Sequence, residues 1–319
     1  MRIYKKYSGI IVRYDNIDLS LDTSDYDTDL SFISHAHHDH LPIKVNRLYA
    51  SRETIVLSSL RGFKYDTIIE IDKNLRMSNS GHILGSKLLM IKDKILYTGD
   101  ICTRDRGFLK GAEPIECRVL IIESTYGVSY FKFPNLNELV NEANRIIRKN
   151  LDEGRHVLLM GYELGKAQLL TYIFKNYKLI IHDRIANINA LYKNLGVDLY
   201  DYEALPLSIA ESKNILKKEP QVIISPMSKS FEKNFKSKYN AVSIAFTGWA
   251  MSNRFDNYDY ALPLSDHADY YELIDFVKKC NPDKILTFHG FTKEFASSLH
   301  ELGFDASEIS NDLRLDEFF

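Results

Sequence analysis

Cysteine is scarce in this chain: Cys102, Cys117 and Cys280 are the only three among 319 residues, far apart and odd in number. That excludes a disulfide framework and a cysteine-built zinc finger, and it fits buried free thiols in a reducing compartment. Long apolar runs are missing as well. No stretch approaches the roughly 18 residues that would cross a bilayer, and the opening residues 1–7 lead into no apolar signal core, so a cytoplasmic protein without membrane contact is expected. With only 15 Gly and 8 Pro beside 45% hydrophobic residues, neither a fibrous nor a disordered class is in play. A dominant charge is absent too: 41 basic against 43 acidic residues leave −2. The surface as a whole therefore does not attract a polyanion, and any nucleic acid must be held by a local groove and by bound metal.

What is present is a series of short, β-rich apolar runs at 9–13, 30–34, 88–91, 94–98, 118–122, 156–160, 178–182, 221–225, 242–248 and 284–288. Helical patterns separate several of them. Between Leu136 and Leu151, for example, Leu139, Ala143, Ile146 and Ile147 form an i, i+4, i+7, i+8 stripe. The chain is α/β. Its first 100 residues carry many strands and few helices, as in a sheet sandwich covered by helices, whereas 135–242 alternates strand and helix like a separate parallel-sheet unit.

The chemistry starts at His35-Ala36-His37-His38-Asp39-His40, directly after the apolar run Leu30, Phe32, Ile33. On an extended segment His35 and His37 point the same way, so both imidazoles reach one cation, while Asp39 and His40, on the following turn, reach a second. Imidazoles with a carboxylate suit zinc, with manganese and iron as competitors, and a ligand set without cysteine points to catalysis rather than a closed structural site. Six of the ten histidines, His35, His37, His40, His82, His267 and His289, lie where an apolar strand runs into a polar or glycine turn. His82 stands in Ser80-Gly81-His82-Ile83-Leu84-Gly85-Ser86, where glycine lets backbone approach a neighbour closely. Asp100 ends Thr98-Gly99-Asp100 and has two oxygens with which to bridge two cations. Asp22, after Leu19-Ser20-Leu21, is a candidate to orient a ligand.

In this order HAHHDH, GHILGS and TGD, preceded by Asp22, resemble the motif series of the metallo-β-lactamase fold. Later segments resemble its β-CASP nuclease branch: Glu123-Ser124-Thr125-Tyr126-Gly127 its acidic motif, Ser265-Asp266-His267-Ala268-Asp269 its histidine motif, Thr287-Phe288-His289-Gly290 its last motif. Residues 161–168 (GYELGKAQ) and 224–227 (ISPM) are similar to stretches of the inserted β-CASP domain. The resemblance covers nearly the whole chain, and length, GYELGKAQ and SDHADY look closest to the ligase-associated DNA exonucleases.

That resemblance implies an αββα sandwich from 1–128 and 250–319, an inserted α/β domain at 129–249, and a cleft between them that nucleic acid threads. It implies two divalent ions, zinc first and manganese second: His35, His37, His82 and Asp100 for one, Asp39, His40 and His289 with Asp100 bridging for the other. A hydroxide between them would be the nucleophile, with Asp39 counted among the catalytic residues. His267 would protonate the leaving group, and Glu123 would hold its other ring nitrogen. Lys166, at the start of a helix after the strand 156–160, and Ser225 are candidate phosphate contacts, as is Ser124. The expected activity is exonucleolytic trimming of single-stranded DNA in repair, with a DNA ligase or helicase as conceivable partner. Glu123 and His289, by contrast, are the motif residues of RNA-processing relatives, so RNA is the alternative. A small-molecule hydrolase on the same fold would not need the inserted domain.

Overall fold

The computed structural model describes residues 1–6, 9–23, 28–65, 72–200, 204–252, 255, 257–309 and 313–314. It divides into two compact units, one of residues 1–105, 109–132 and 267–319, the other of 106–108 and 133–266.

The first unit is built on two six-stranded sheets. One runs Leu313–Arg314, Arg2–Lys6, Gly9–Tyr14, Ile17–Leu21, Leu30–Ile33, Leu48–Ala50. The other runs Ala306–Glu308, Lys284–Gly290, Val119–Ser124, Ile95–Tyr97, Lys87–Ile91, Leu75–Asn79. Strand alternation decides the layers. Val119 and Ile121 join Val12, Leu19, Phe32 and Tyr97 in the core between the sheets. Leu120 and Ile122 face the other way, onto Leu273, Phe276 and Val277 of the helix Tyr270–Cys280 and Phe295 and Leu299 of the helix Thr292–Glu301. On the outer side of the first sheet Ile33, Leu48 and Ala50 pack with Ile55 of the helix Arg52–Ser59. The layers are helix, sheet, sheet, helix, the αββα order expected.

The second unit carries one six-stranded, wholly parallel sheet in the order Leu205–Pro206, Leu179–Ile181, Val222–Pro226, His156–Gly161, Ala241–Phe246, Tyr260–Leu262. The helix Leu136–Asp152 buries its stripe of Leu139, Ala143, Ile146 and Ile147 against Val157, Leu159 and Ile244. Because Tyr260–Leu262 hydrogen-bonds along Ala241–Phe246, this strand belongs with the sheet, and the second unit runs to Asp266, so the chain rejoins the first unit at His267 rather than near residue 250.

Candidate metal centre

Within the first unit, topology collects the histidines at one edge. The strands Leu75–Asn79, Ile95–Tyr97, Val119–Ser124 and Lys284–Gly290 run in the same direction, being parallel to one another or joined through the antiparallel Lys87–Ile91. Their carboxyl ends deliver His82, Asp100, Glu123 and His289, and Leu30–Ile33 of the facing sheet delivers the HAHHDH turn.

Four donors converge first. His37 Nδ1 is 3.0 Å from His35 Nε2 and 3.1 Å from His82 Nε2, and Asp100 Oδ2 is 3.4 Å from His35 Nε2 and 3.5 Å from His82 Nε2. Donors at about 2.0–2.1 Å from one tetrahedral ion stand about 3.3–3.4 Å apart. The spacing therefore fits a zinc-sized cation. His35 is fully buried, and burial, aided by His40, His82 and His37, holds its pKa well below the usual value, so its nitrogen keeps the lone pair a metal needs.

A second group shares Asp100. His40, Asp100 and His289 bring ligand atoms within 4.8 Å of one another. His40 Nε2 lies 3.7 Å from Asp100 Oδ2 and 3.7 Å from Asp39 Oδ2. Asp39 is exposed and approaches His40, but it does not complete the close group with His289. Burial alone would lower the pKa of His40. The charges of Asp100 and Asp22, with the hydrogen bond to Asp22, outweigh it and push the value up to about 10. Such a concentration of carboxylate charge favours any cation there, proton or metal.

Asp22 is the hub behind the ligands. It accepts from His40 Nδ1 at 3.0 Å, from Tyr97 Oη at 2.9 Å, from the Ser34 backbone N–H at 2.7 Å and from Ser34 Oγ, which itself stands 2.9 Å from His35 Nδ1. One carboxylate thus fixes the ring orientation of His40 directly and of His35 through Ser34. The sequence pattern points to Asp22 for this part but not to Tyr97 or Ser34, although each stands directly before a ligand motif.

Beside the ligands stands a carboxylate–histidine pair. Glu123, buried, meets His267 Nδ1 at 2.9 and 3.0 Å and also accepts from Ile101 N–H at 2.6 Å and from Thr125 Oγ1. Burial would raise the Glu123 pKa, but His267, Thr125 and Ile101 together hold it below the ordinary carboxyl value. His267 Nε2 then faces the site, 3.9 Å from Asp100 Oδ2. The turn carrying His267 is pinned by Arg104, which donates to the His267 carbonyl at 3.0 Å and pairs with Glu272 at 3.2 Å. Asp269 caps the helix that follows by accepting from Glu272 N–H at 3.0 Å.

His289 sits on strained backbone. Its φ is +53°, at a register shift between Phe288 and Gly290. Gly290 is required next to it: a Cβ there would lie 2.3 Å from the Ser124 carbonyl oxygen and 2.4 Å from Thr125 Cα. A comparable constraint holds at Gly81, where a Cβ would come within 2.1 Å of the Cys102 carbonyl.

Three expected phosphate contacts turn out otherwise. Ser124 is fully buried and donates to the carbonyls of Phe288, at 3.2 Å, and His289, so it clips the last motif in place. Lys166 does open the helix Lys166–Ile173, but it is 1% exposed, its ammonium donating to the Leu264 carbonyl at 2.6 Å and pairing with Asp266 at 2.9 Å beside Arg106, itself 2.7 Å from Asp266. Its partners hold it inside the second unit. Ser225, in the strand Val222–Pro226, is fully buried and its Oγ finds no hydrogen-bond partner among the described residues.

A family model described as the Zn-dependent metallo-hydrolase RNA specificity domain matches residues 260–307, the segment that holds His267 and His289. A probable DNA ligase of Opitutus terrae is 30% identical over 309 residues, which cover 90% of this chain and 29% of that protein. Cleavage and polyadenylation specificity factor subunit 3 of Dictyostelium discoideum is 27% identical over 278 residues, 68% of this chain and 35% of that one. Transcription termination factor FttA of Methanothermobacter thermautotrophicus is 24% identical over 341 residues, 84% and 53%. The chain thus spans 29% to 53% of the length of these relatives. A crystal structure of a protein of unknown function from Enterococcus faecalis V583 shares the fold, with a TM-score of 0.62 over 98% of this chain and 99% of that one at 14% identity.

Proposed function

Because the chain belongs to the metallo-β-lactamase/β-CASP nuclease family, we propose that it is a phosphodiesterase that trims single-stranded DNA from an end. The observation that carries the reading is the sharing of Asp100 by two ligand groups, with the Glu123–His267 pair alongside. Two divalent cations held there supply Lewis acidity toward the phosphoryl oxygens and lower the pKa of a water toward about 7.

The side chains do the rest. His35, His37 and His82 form one end of the site, His40 and His289 the other, and Asp100 fixes their separation. Asp39 is the remaining oxygen donor beside His40. Glu123 keeps the His267 Nδ1 proton in place, so Nε2 carries the proton that the departing alkoxide oxygen receives. The hydrogen bonds from His267, Thr125 and Ile101 keep Glu123 ionised against its burial, and with no solvent beside it the charge is spent on His267.

The relative matched over 90% of this chain is a probable DNA ligase, which supports DNA as substrate and a ligase as partner in repair. RNA is the second reading, favoured by the matched domain's description and by Glu123 and His289. DNA and RNA strands of one sequence, single- and double-stranded, labelled at either end and compared at equal salt and metal, test the choice. Progressive shortening of single-stranded DNA is expected. RNA cleaved about tenfold faster would install the RNA reading, and cuts in a circular strand would make the enzyme an endonuclease.

A further inference from the structure

Two tyrosines on the first unit are far more exposed than their size warrants: Tyr130 at 59% and Tyr271 at 50%. They belong to one surface. The Tyr270 N–H donates to the Phe131 carbonyl at 3.3 Å, which sets the segment Tyr130-Phe131-Lys132 against the start of the helix Tyr270–Cys280. Tyr130 is 5.3 Å from Phe131 and Tyr271 is 5.2 Å from Tyr270, centroid to centroid, and the Lys132 ammonium stands 5.7 Å from the Tyr271 ring. Behind them Phe131 and Tyr126 are buried. Phe131 contacts Tyr126 at 4.8 Å and Phe291 at 6.0 Å, and Tyr126 contacts His267 at 5.9 Å. An unbroken run of ring contacts therefore leads from His267 through Tyr126 and Phe131 to the exposed face of Tyr130, and the Tyr270–Phe131 backbone bond sets Tyr271 alongside.

We propose that Tyr130 and Tyr271, with Lys132, form a stacking surface for the bases of a single strand whose backbone passes His267. Exposed rings suit this occupant because every base offers a π-face, and the stacking is indifferent to sequence. Lys132 adds the charge that a phosphate next to a stacked base requires. Buried Tyr126 and Phe131 hold the surface rigid, so little ordering is lost on binding. A duplex, whose bases are already stacked, has no face to offer. The inference rests on the nuclease reading and adds to it where the strand lies on the first unit.

The test uses the zinc-loaded full chain and two probes of equal length, oligothymidine and an abasic single strand, with affinity read by fluorescence anisotropy. The double variant Tyr130→Ala/Tyr271→Ala should bind oligothymidine at least about fivefold more weakly and the abasic strand unchanged. Tyr130→Phe/Tyr271→Phe should restore the wild-type affinity. Unchanged oligothymidine binding, or an equal loss on both probes, would overturn the surface. So would a wild-type dimer that the Ala variant dissolves, since the occupant would then be a second copy of the chain. Hydrolysis of bis(p-nitrophenyl) phosphate, which has no bases, should be equal in wild type and variant. A wild-type protein inactive on it would sink the nuclease reading itself, whereas an active one with no effect of the Ala pair on strand binding sinks only the stacking surface.

Discussion

Glu123→Gln is the change with the most legible cost. The carboxylate is buried and accepts from His267, Ile101 and Thr125, all of them donors. An amide of the same shape keeps one accepting oxygen and turns an NH2 toward a donor. The charge-assisted bond to His267 is worth about 1.5–3 kcal/mol, and a buried donor facing a donor costs about 1–3 kcal/mol. Allowing for partial relaxation, the metal-free protein should lose about 2–4 kcal/mol of stability near neutral pH. The sign with pH follows from the depressed folded pKa. The contribution is fully present above the ordinary value of 4.5 and disappears as pH falls through the folded value, because the unfolded chain takes up the proton first. Urea unfolding of both proteins in chelator, near pH 7 and at successively lower pH, should show a gap that narrows into acid. In the metal-loaded protein the same change should slow cutting by about 10²- to 10⁴-fold, since His267 loses its orientation. A gap absent near neutrality, or one that widens in acid, would refute the reasoning.

His267→Ala should retain bound zinc while cutting slows about 10²- to 10⁴-fold, whereas His289→Ala should weaken one zinc selectively; elemental analysis separates them, and metal loss in the His267 variant would exchange their roles. Gly290→Ala should cost at least about 1–2 kcal/mol from left-handed backbone alone and abolish activity by displacing His289, as read by thermal unfolding and by turnover. Asp266→Ala, which leaves Lys166 and Arg106 as buried cations beside each other, should destabilise by about 3–5 kcal/mol and Lys166→Met by less, about 1–3 kcal/mol; a Lys166 variant of unchanged stability but raised KM would restore it as a phosphate contact.

All ten apolar runs became strands, and the helix Leu136–Asp152 buries the stripe that periodicity assigned it. Hydrophobic alternation carries that information directly. Short strands such as Tyr260–Leu262, partly buried throughout, and Leu75–Asn79, with Leu75 alone buried, escaped because their burial pattern is diluted. At the site, histidines and aspartates at strand ends are legible because few other roles demand them together. Their supports are not: Tyr97 and Arg104 are ordinary residues whose meaning comes from partners 75 and 163 residues away. Lys166 shows the converse. Its place at a helix start was readable, but the Leu264 carbonyl that buries its ammonium lies 98 residues away. Sequence reports charge well and burial of charge poorly.

The central claim is that Asp100 joins two cation sites in one phosphodiesterase centre. Elemental analysis of active wild-type protein and of Asp100→Ala, with turnover of a simple phosphodiester measured on the same samples, tests it most directly. Two zinc ions per chain in the wild type, and loss of both metal and turnover in the variant, are the predicted result; full activity with a single ion, or an Asp100→Ala protein that keeps both ions and most of its activity, would contradict it.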